Sequence, residues 1–475
     1  MTGADIWIAL PLLLLAIGSL LTLMTGALSR NEGAATTVAI VASLGAALWP
    51  LLPVPAGMMA VAPVSASLGL AATVLARTFT VFFCLLAIGT LVCSHKYNQH
   101  HGLSGEEYPA TLLFATFGMV AVATATNLLI LFLGLEAMTF AFYILVAYDL
   151  KRETSGEAGL KYLLLGAFSS AFLAFGIALL YCVSGTLALD QTMRSTLGSG
   201  PVPTVALAGW GCLLIGLAFK LSLVPAHLWT PDIYQGAPAP VVALLSGGSK
   251  AAALLLLLLL LPQAGDTGPL RVPLWGLAMS SMLVGSLAGL LQTRVRRMLA
   301  YSSIAQMGYV VLALLAGKGG GYQAGAYYGL AYGVISLAAF GAIAVLERGG
   351  CGPFLEDYRG RGATHPLAAG VLTLALLALA GIPPTAGFTG KFLIFAAALK
   401  AGEMALAMIG ILSAAISAYY YLRVVTSLYF ARPERTMAAA QGSLAENWVL
   451  LAASAAIVLL GLFPSLLLDL LQALQ

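Results

Sequence analysis

Apolar runs of about 20 residues follow one another along the whole chain, and each is long enough for a helix to cross a bilayer. The apolar–polar alternation of a transmembrane barrel is not seen. The runs predict fourteen helices, at 5–28, 36–53, 71–94, 108–125, 127–148, 158–183, 204–229, 240–261, 273–291, 298–316, 323–346, 366–400, 404–430 and 447–470. Of the 475 residues, 60% are hydrophobic and 8% charged, with a mean hydropathy of +0.97. A soluble domain carries about 25% charged residues, so this chain cannot clothe a soluble surface. The fold class is all-α, a polytopic membrane protein.

The loops are short and hide no soluble domain; the longest polar connections lie near 95–107, 184–203, 347–365 and 431–446. The opening MTGADIWIAL has no basic segment and reads as a retained first span rather than a cleaved signal. A net charge of +4 points to no nucleic-acid partner. Cys84, Cys93, Cys182, Cys212 and Cys351 are scattered without a CxxC pair. They read as small buried hydrophobes, not as a metal centre.

Lysine and arginine in the loops set the orientation. With the N-terminus outside, the inner loops hold Arg30, Lys96, Lys151, Arg152, Arg294, Arg296, Arg297, Arg348, Arg359, Arg361, Arg432 and Arg435. The outer loops hold Arg194, Arg271, Lys318 and Lys400. Twelve against four places both termini on the outer side.

Arg77, Lys161, Lys220, Lys250, Lys391 and Arg423 fall inside expected spans, and Glu136 is the acid near the middle of one. A charge at the bilayer centre costs about 2.5–3.5 kcal/mol on insertion scales, so such residues face a bundle interior or a wet path. Arg77 and Arg423 lie near helix ends, where a long side chain reaches the interface. Lys161 lies about one turn inside its helix, and either reading suits it. Glu136 and Lys250 lie about nine and ten residues deep, beyond that reach.

Two spans are interrupted. Lys220 precedes Pro225 in FKLSLVPAHLWTP, and Lys391 follows Pro383 and Pro384 in GIPPTAGFTGKFLIF. Proline inside a membrane helix frees carbonyls that water or side chains must satisfy. Each broken helix, the seventh and the twelfth, therefore sets a lysine beside a polar pocket. Their helices are five apart in order, as two inverted five-helix repeats would produce, and broken helices at matching positions of such repeats point to a transport site. The chain divides accordingly into a three-helix segment (1–107), a first repeat (108–261), a second (262–430) and a last helix (431–475).

Desolvation brings the neutral form of a lysine within reach near neutral pH, and a nearby carboxylate restores the charged form. Glu136 moving toward or away from Lys220 would load or unload a proton. Histidine titrates near neutrality, so His227 is either a relay between Lys220 and Lys250 or a helix-end hydrogen bond.

GLEAMTFAFYILVAY, EAGLKYLLLGAFSSAFLAFGIALLY, FKLSLVPAHLWTPDIYQGAPAPVVALLSGGSKAAA, RVRRMLAYSSIAQMGY and GIPPTAGFTGKFLIF follow in order over about residues 110–400. Together they resemble the subunit N family of the proton-pumping NADH–quinone oxidoreductase, respiratory complex I. The first three helices and the last two fit by hydropathy more than by motif. Two features favour N over its L and M relatives: a lysine on the broken twelfth helix, and no long lateral helix after the fourteenth.

The resemblance implies that Glu136 and Lys220 form the family's pair between helices 5 and 7. By the same resemblance Lys250 is the central relay, Lys391 the terminal lysine and Lys161 the further lysine of helix 6. The eleventh helix carries no histidine or lysine, so Tyr327, Tyr328, Tyr332, Ser336 and water would have to bridge Lys250 and Lys391 there. The resemblance also implies a subunit of an H⁺-translocating NADH:quinone oxidoreductase that performs no redox step itself. NADH, FMN, iron–sulfur clusters and quinone belong to other subunits, and this chain is expected to hold no cofactor and no metal. Partners would be M-like and K/J-like membrane neighbours and the lipid of a bacterial inner membrane. No nucleotide-binding fingerprint is present. The competing reading is a subunit of a multisubunit cation/proton antiporter, or of a ferredoxin-, reduced-deazaflavin- or hydrogenase-linked complex. A sodium path would add carboxylates at mid-membrane, which weighs against the antiporter.

Overall fold

The computed structural model describes residues 3–52, 64–65, 67–103, 105–197, 202–261, 268–317, 319–430 and 442–474. Lys318, Arg432 and Arg435, counted above for orientation, lie outside the described residues. The chain opens with α1 (Gly3–Ser29) and α2 (Glu32–Leu48), then a two-stranded hairpin, β1 (Val64–Ser65) with β2 (Leu70–Ala71). There follow α3 (Val74–His101), α4 (Glu107–Thr124), α5 (Leu128–Val146), α6 (Glu153–Ser184), α7 (Leu189–Leu197), α8 (Thr204–Lys220), α9 (Trp229–Gly236), α10 (Ala239–Leu244) and α11 (Lys250–Leu260). The rest is α12 (Arg271–Leu290), α13 (Val295–Ala316), α14 (Gly321–Arg348), α15 (Arg361–Thr364), α16 (Pro366–Ala380), α17 (Ala386–Lys400), α18 (Met404–Phe430), α19 (Leu444–Leu462) and α20 (Ser465–Leu468).

Twelve helical segments among the described residues are long and apolar enough to cross a membrane. The chain is a polytopic helical membrane protein. The expected spans 204–229 and 366–400 are each divided in two, as α8/α9 and α16/α17. The polar connection 184–203 contains α7, which sequence reading missed. Leu189, Met193 and Leu197 bury one face of it at four-residue spacing, the helical period.

The segment from α10 through α11 is wholly buried, and α13 and α14 nearly so, whereas α6 and α19 expose most of their surface. A chain immersed in hydrocarbon gains little by burying leucine, so close contact between helices depends on small residues. Gly134 of α5 approaches α4 so closely that a Cβ would stand 2.9 Å from the Gly118 carbonyl. Between α10 and α11, residues Leu245–Ser249 form a π-helical turn. There Gly247 packs on Gly333 of α14, where a Cβ would meet backbone at 2.8 Å.

Both breaks are stitched rather than loose. After α8, Leu223 N–H donates to the Ala218 carbonyl at 2.7 Å. Trp229 Nε1, opening α9, donates to the Phe219 carbonyl at 3.0 Å. From α12, Ser281 Oγ accepts from Val224 N–H at 3.0 Å and Ser280 Oγ donates to its carbonyl at 3.3 Å. After α16, Gly381 turns at φ +86°, a conformation that glycine adopts without strain. Thr385 then caps α17, accepting from Phe388 N–H at 3.4 Å.

Arg77 and Arg423 anchor on neighbouring carbonyls, Arg77 on Pro50 and Leu52 and Arg423 on Leu290. Of three arginines read as loop charges, Arg296 and Arg361 are buried and Arg348 is half-buried. Arg296 pairs with Glu347, Arg348 pairs with Glu446 at 2.8 Å, and Arg361 donates to the carbonyls of Gly349 and Gly350.

Candidate functional site

Lys220 is the last residue of α8, at the point where the helix stops, and its side chain is 3% exposed. Its ammonium donates to Glu136 Oε1 at 3.1 Å and to Thr139 Oγ1 at 2.6 Å, both on α5. Ser170 of α6 donates to the other Glu136 oxygen at 2.6 Å. Glu136 is 27% exposed, so the pair is sealed at the lysine and open at the carboxylate. Tyr162, Phe219 and Trp229 pack on one another beside the break.

Lys161 is a separate cluster. It pairs with Glu157 at 2.6 Å and with Asp232 of α9 at 2.8 Å, and Arg297 of α13 donates to the other Asp232 oxygen at 2.6 Å. Asp232 was missed because a lone acid next to a proline reads as a helix end. His227 lies in the break, where its ring contacts the Pro225 backbone, and no hydrogen bond joins it to Lys220 or Lys250 among the described residues.

Lys250 follows the π-helical turn and is buried. It donates to Ser303 of α13, and its ammonium sits 5.6 Å from the Tyr234 ring centre. The Ser303 and Tyr234 hydroxyls are 3.2 Å apart. Tyr332 of α14 interacts with Ser303, Tyr234, Ser246 and Ser336.

Lys391 sits in the second turn of α17 and folds back on the break. It donates to the Leu379 carbonyl at 2.6 Å and reaches the Ala380 carbonyl at 3.4 Å, with the Tyr309 ring centre 5.1 Å away. Gln306 Nε2 donates to the same Leu379 carbonyl at 3.2 Å and to the Tyr421 hydroxyl at 3.1 Å. Its Oε1 accepts from the Tyr328 hydroxyl, and Tyr421 is bonded to Ser302.

The polar groups between Lys250 and Lys391 thus come from α13 as much as from α14. Tyr327, Tyr328, Tyr332 and Ser336, expected from the sequence to support this stretch together with water, all lie on α14. Tyr328, Tyr332 and Ser336 are part of the cluster, but Tyr327 turns away and donates to the Leu460 carbonyl at 2.6 Å. Ser302, Ser303, Gln306 and Tyr421 were overlooked. YSSIAQMGY places Ser302, Gln306 and Tyr309 at i, i+4 and i+7, one polar stripe on an apolar helix, and that period was the available signal.

Residues 125–417 match the family described as NADH:quinone oxidoreductase/Mrp antiporter, TM. NADH-quinone oxidoreductase subunit N of Geotalea uraniireducens is 56% identical over 473 residues, covering 100% of this chain and 99% of that protein. The subunit N of Geobacter metallireducens is 55% identical over 473 residues, with the same 100% and 99% coverage. A chain of respiratory complex I from Thermus thermophilus with bound aureothin is 32% identical, has a TM-score of 0.80, and is matched over 97% of this chain and 98% of its own. On sequence and fold together, the chain belongs to the subunit N family of NADH-quinone oxidoreductase, within the NADH:quinone oxidoreductase/Mrp antiporter membrane proteins.

Proposed function

We propose that this chain is the proton-translocating N subunit of a respiratory NADH-quinone oxidoreductase, moving protons through buried lysines while redox chemistry proceeds in other subunits. The ion pair of Glu136 with Lys220 at the end of α8 carries this reading. A lysine at a helix break has two stable states, charged against a carboxylate or neutral in apolar surroundings, and small movements of the carboxylate choose between them. Glu136 is half-buried while Lys220 is sealed behind it, so a charge in a neighbouring membrane subunit acts on the carboxylate first. Few dipoles screen charges in an apolar core, which makes such coupling strong.

In this reading protons enter from the inner side toward Lys220, pass Lys250, and leave outward near Lys391. Lys161, with Asp232 and Arg297, ties α6 to α9 and α13 on the uptake side. M-like and K/J-like subunits flank the chain in a bacterial inner membrane, with both termini outside. NADH, FMN, iron–sulfur clusters and quinone lie in or between other subunits. The helices of 108–261 and 262–430 act as two inverted repeats, each contributing one broken helix and its lysine.

The test is Lys220→Ala in the intact complex in vesicles, with NADH oxidation and proton uptake followed together. Both fall, with assembly intact, if the lysine is an obligatory carrier. Normal rates of both would leave Lys220 a structural charge and sink the reading.

A further inference from the structure

Gln306 reaches three other helices from one position on α13: Tyr328 on α14, Tyr421 on α18 and the Leu379 carbonyl on α16. The carbonyl it binds is the one that binds the Lys391 ammonium. The side chains of α13 and α14 meet here as two rungs. Ser303 interacts with Tyr332 on the Lys250 side, and Gln306 bonds Tyr328 one helical turn along on the Lys391 side. An amide does not titrate near neutrality, so Gln306 cannot carry the proton. It can decide where the hydroxyls around it point.

We infer that Gln306 is a positioning residue for proton transfer between Lys250 and Lys391, fixing the Tyr328 and Tyr421 hydroxyls beside the carbonyl that holds Lys391. The inference rests on reading the two lysines as carriers. Its physical content lies in the shared acceptor. While Lys391 is charged, the Leu379 carbonyl receives a charge-assisted bond, which is the stronger kind. When the lysine gives up its proton, the Gln306 N–H still holds that carbonyl, and the break keeps its shape for reloading. A hydroxyl in the line that accepts a proton on a lone pair releases its own O–H proton onward, so no net charge stays on serine or tyrosine.

The experiment uses Gln306→Leu and Gln306→Glu in the intact complex in vesicles, reading the rates of NADH oxidation and of proton translocation across a pH series. Gln306→Leu removes all three bonds and lowers translocation about tenfold. Gln306→Glu keeps the size of the side chain. Its neutral acid form has one O–H and keeps one of the two donated bonds, whereas its ionised form donates neither and pins Lys391 in the charged state. Its translocation therefore comes nearest wild type at low pH and falls away from it as pH rises. The titratable groups around position 306 are Tyr309 on α13, Tyr328 on α14, Lys391 on α17, and Tyr420 and Tyr421 on α18. Tyrosine ordinarily ionises near pH 10, at about the upper edge of such a series.

A Gln306→Glu profile that superposes on wild type overturns the inference, and so does wild-type translocation by Gln306→Leu. If the leucine variant does not assemble, the glutamate variant decides. Lys391→Ala in the same vesicles separates the two claims. If it leaves translocation untouched, the reading of the lysines fails. If it abolishes translocation while Gln306→Leu does not, only the role of Gln306 fails.

Discussion

The two broken helices solve one problem in opposite ways. At the first, the lysine is the final residue of the leading half and meets a carboxylate from another helix, Glu136 at 3.1 Å. The carbonyls freed at that break go to other donors, Trp229 and Ser280 among them. At the second, the lysine belongs to the trailing half and turns back to the freed carbonyls themselves, Leu379 and Ala380. One ammonium is balanced by a full charge that a neighbour can displace. The other is balanced by backbone dipoles at a helix C-terminus, which favour a cation and cannot leave without unfolding the helix. The first lysine is therefore balanced by a side chain that can move and the second by backbone groups fixed in the fold.

Substitutions at the two breaks can break or sharpen this contrast. The largest effect is expected from Glu136→Ala, which strips Lys220 of its counter-charge. Removing one partner of a buried pair costs about 3–5 kcal/mol, and proton uptake in vesicles should fall about tenfold or more. Wild-type uptake would show that the first lysine, like the second, manages without a carboxylate. Gly387→Ala tests the second break by sterics, because its Cβ would stand 1.8 Å from the Ala378 carbonyl. Overpacking of this kind costs about 1–3 kcal/mol, visible as a lower midpoint for thermal loss of the assembled complex.

Ser281→Ala leaves the Val224 N–H without its acceptor and should cost about 1–2 kcal/mol in the same assay. Thr385→Ala removes the cap of α17 and should cost about 1 kcal/mol. A larger loss for Thr385 would mean that the second break depends on side chains after all. The smallest change is a gain. Gly211→Ala in α8 and Gly370→Ala in α16 place a Cβ with nothing within 4 Å, and each should stabilise its half-helix by up to about 1 kcal/mol. Unequal gains would show that the two leading halves bear different loads.

The helices were legible because hydropathy over some 20 residues is a strong and redundant signal, and the breaks because proline announces them. Lys220, Lys250 and Lys391 stood out because a charge in such a run has few innocent explanations. The acceptors of Lys391 left no trace in the sequence, since backbone carbonyls are identical at every residue and only the fold selects Leu379 and Ala380. The stripe of Ser302, Gln306 and Tyr309 was legible in principle. It went unread because neutral polar residues in membrane helices are common and each alone is uninformative. His227 was open to two readings, a relay or a helix-end hydrogen bond, because its residue type alone does not choose between them; its ring contacts the Pro225 backbone.

The π-helical turn at Leu245–Ser249 ends immediately before Lys250. Such a turn stores one more residue than regular helix would place in the same stretch. Were it to revert to ordinary pairing, everything beyond it would rotate by about 100° and advance by about 1.5 Å. That motion would swing the Lys250 ammonium off Ser303 with no loop opened and no strand of chain unfolded. Lys250 thus stands one residue of helical phase away from a different set of neighbours, in the most enclosed span among the described residues.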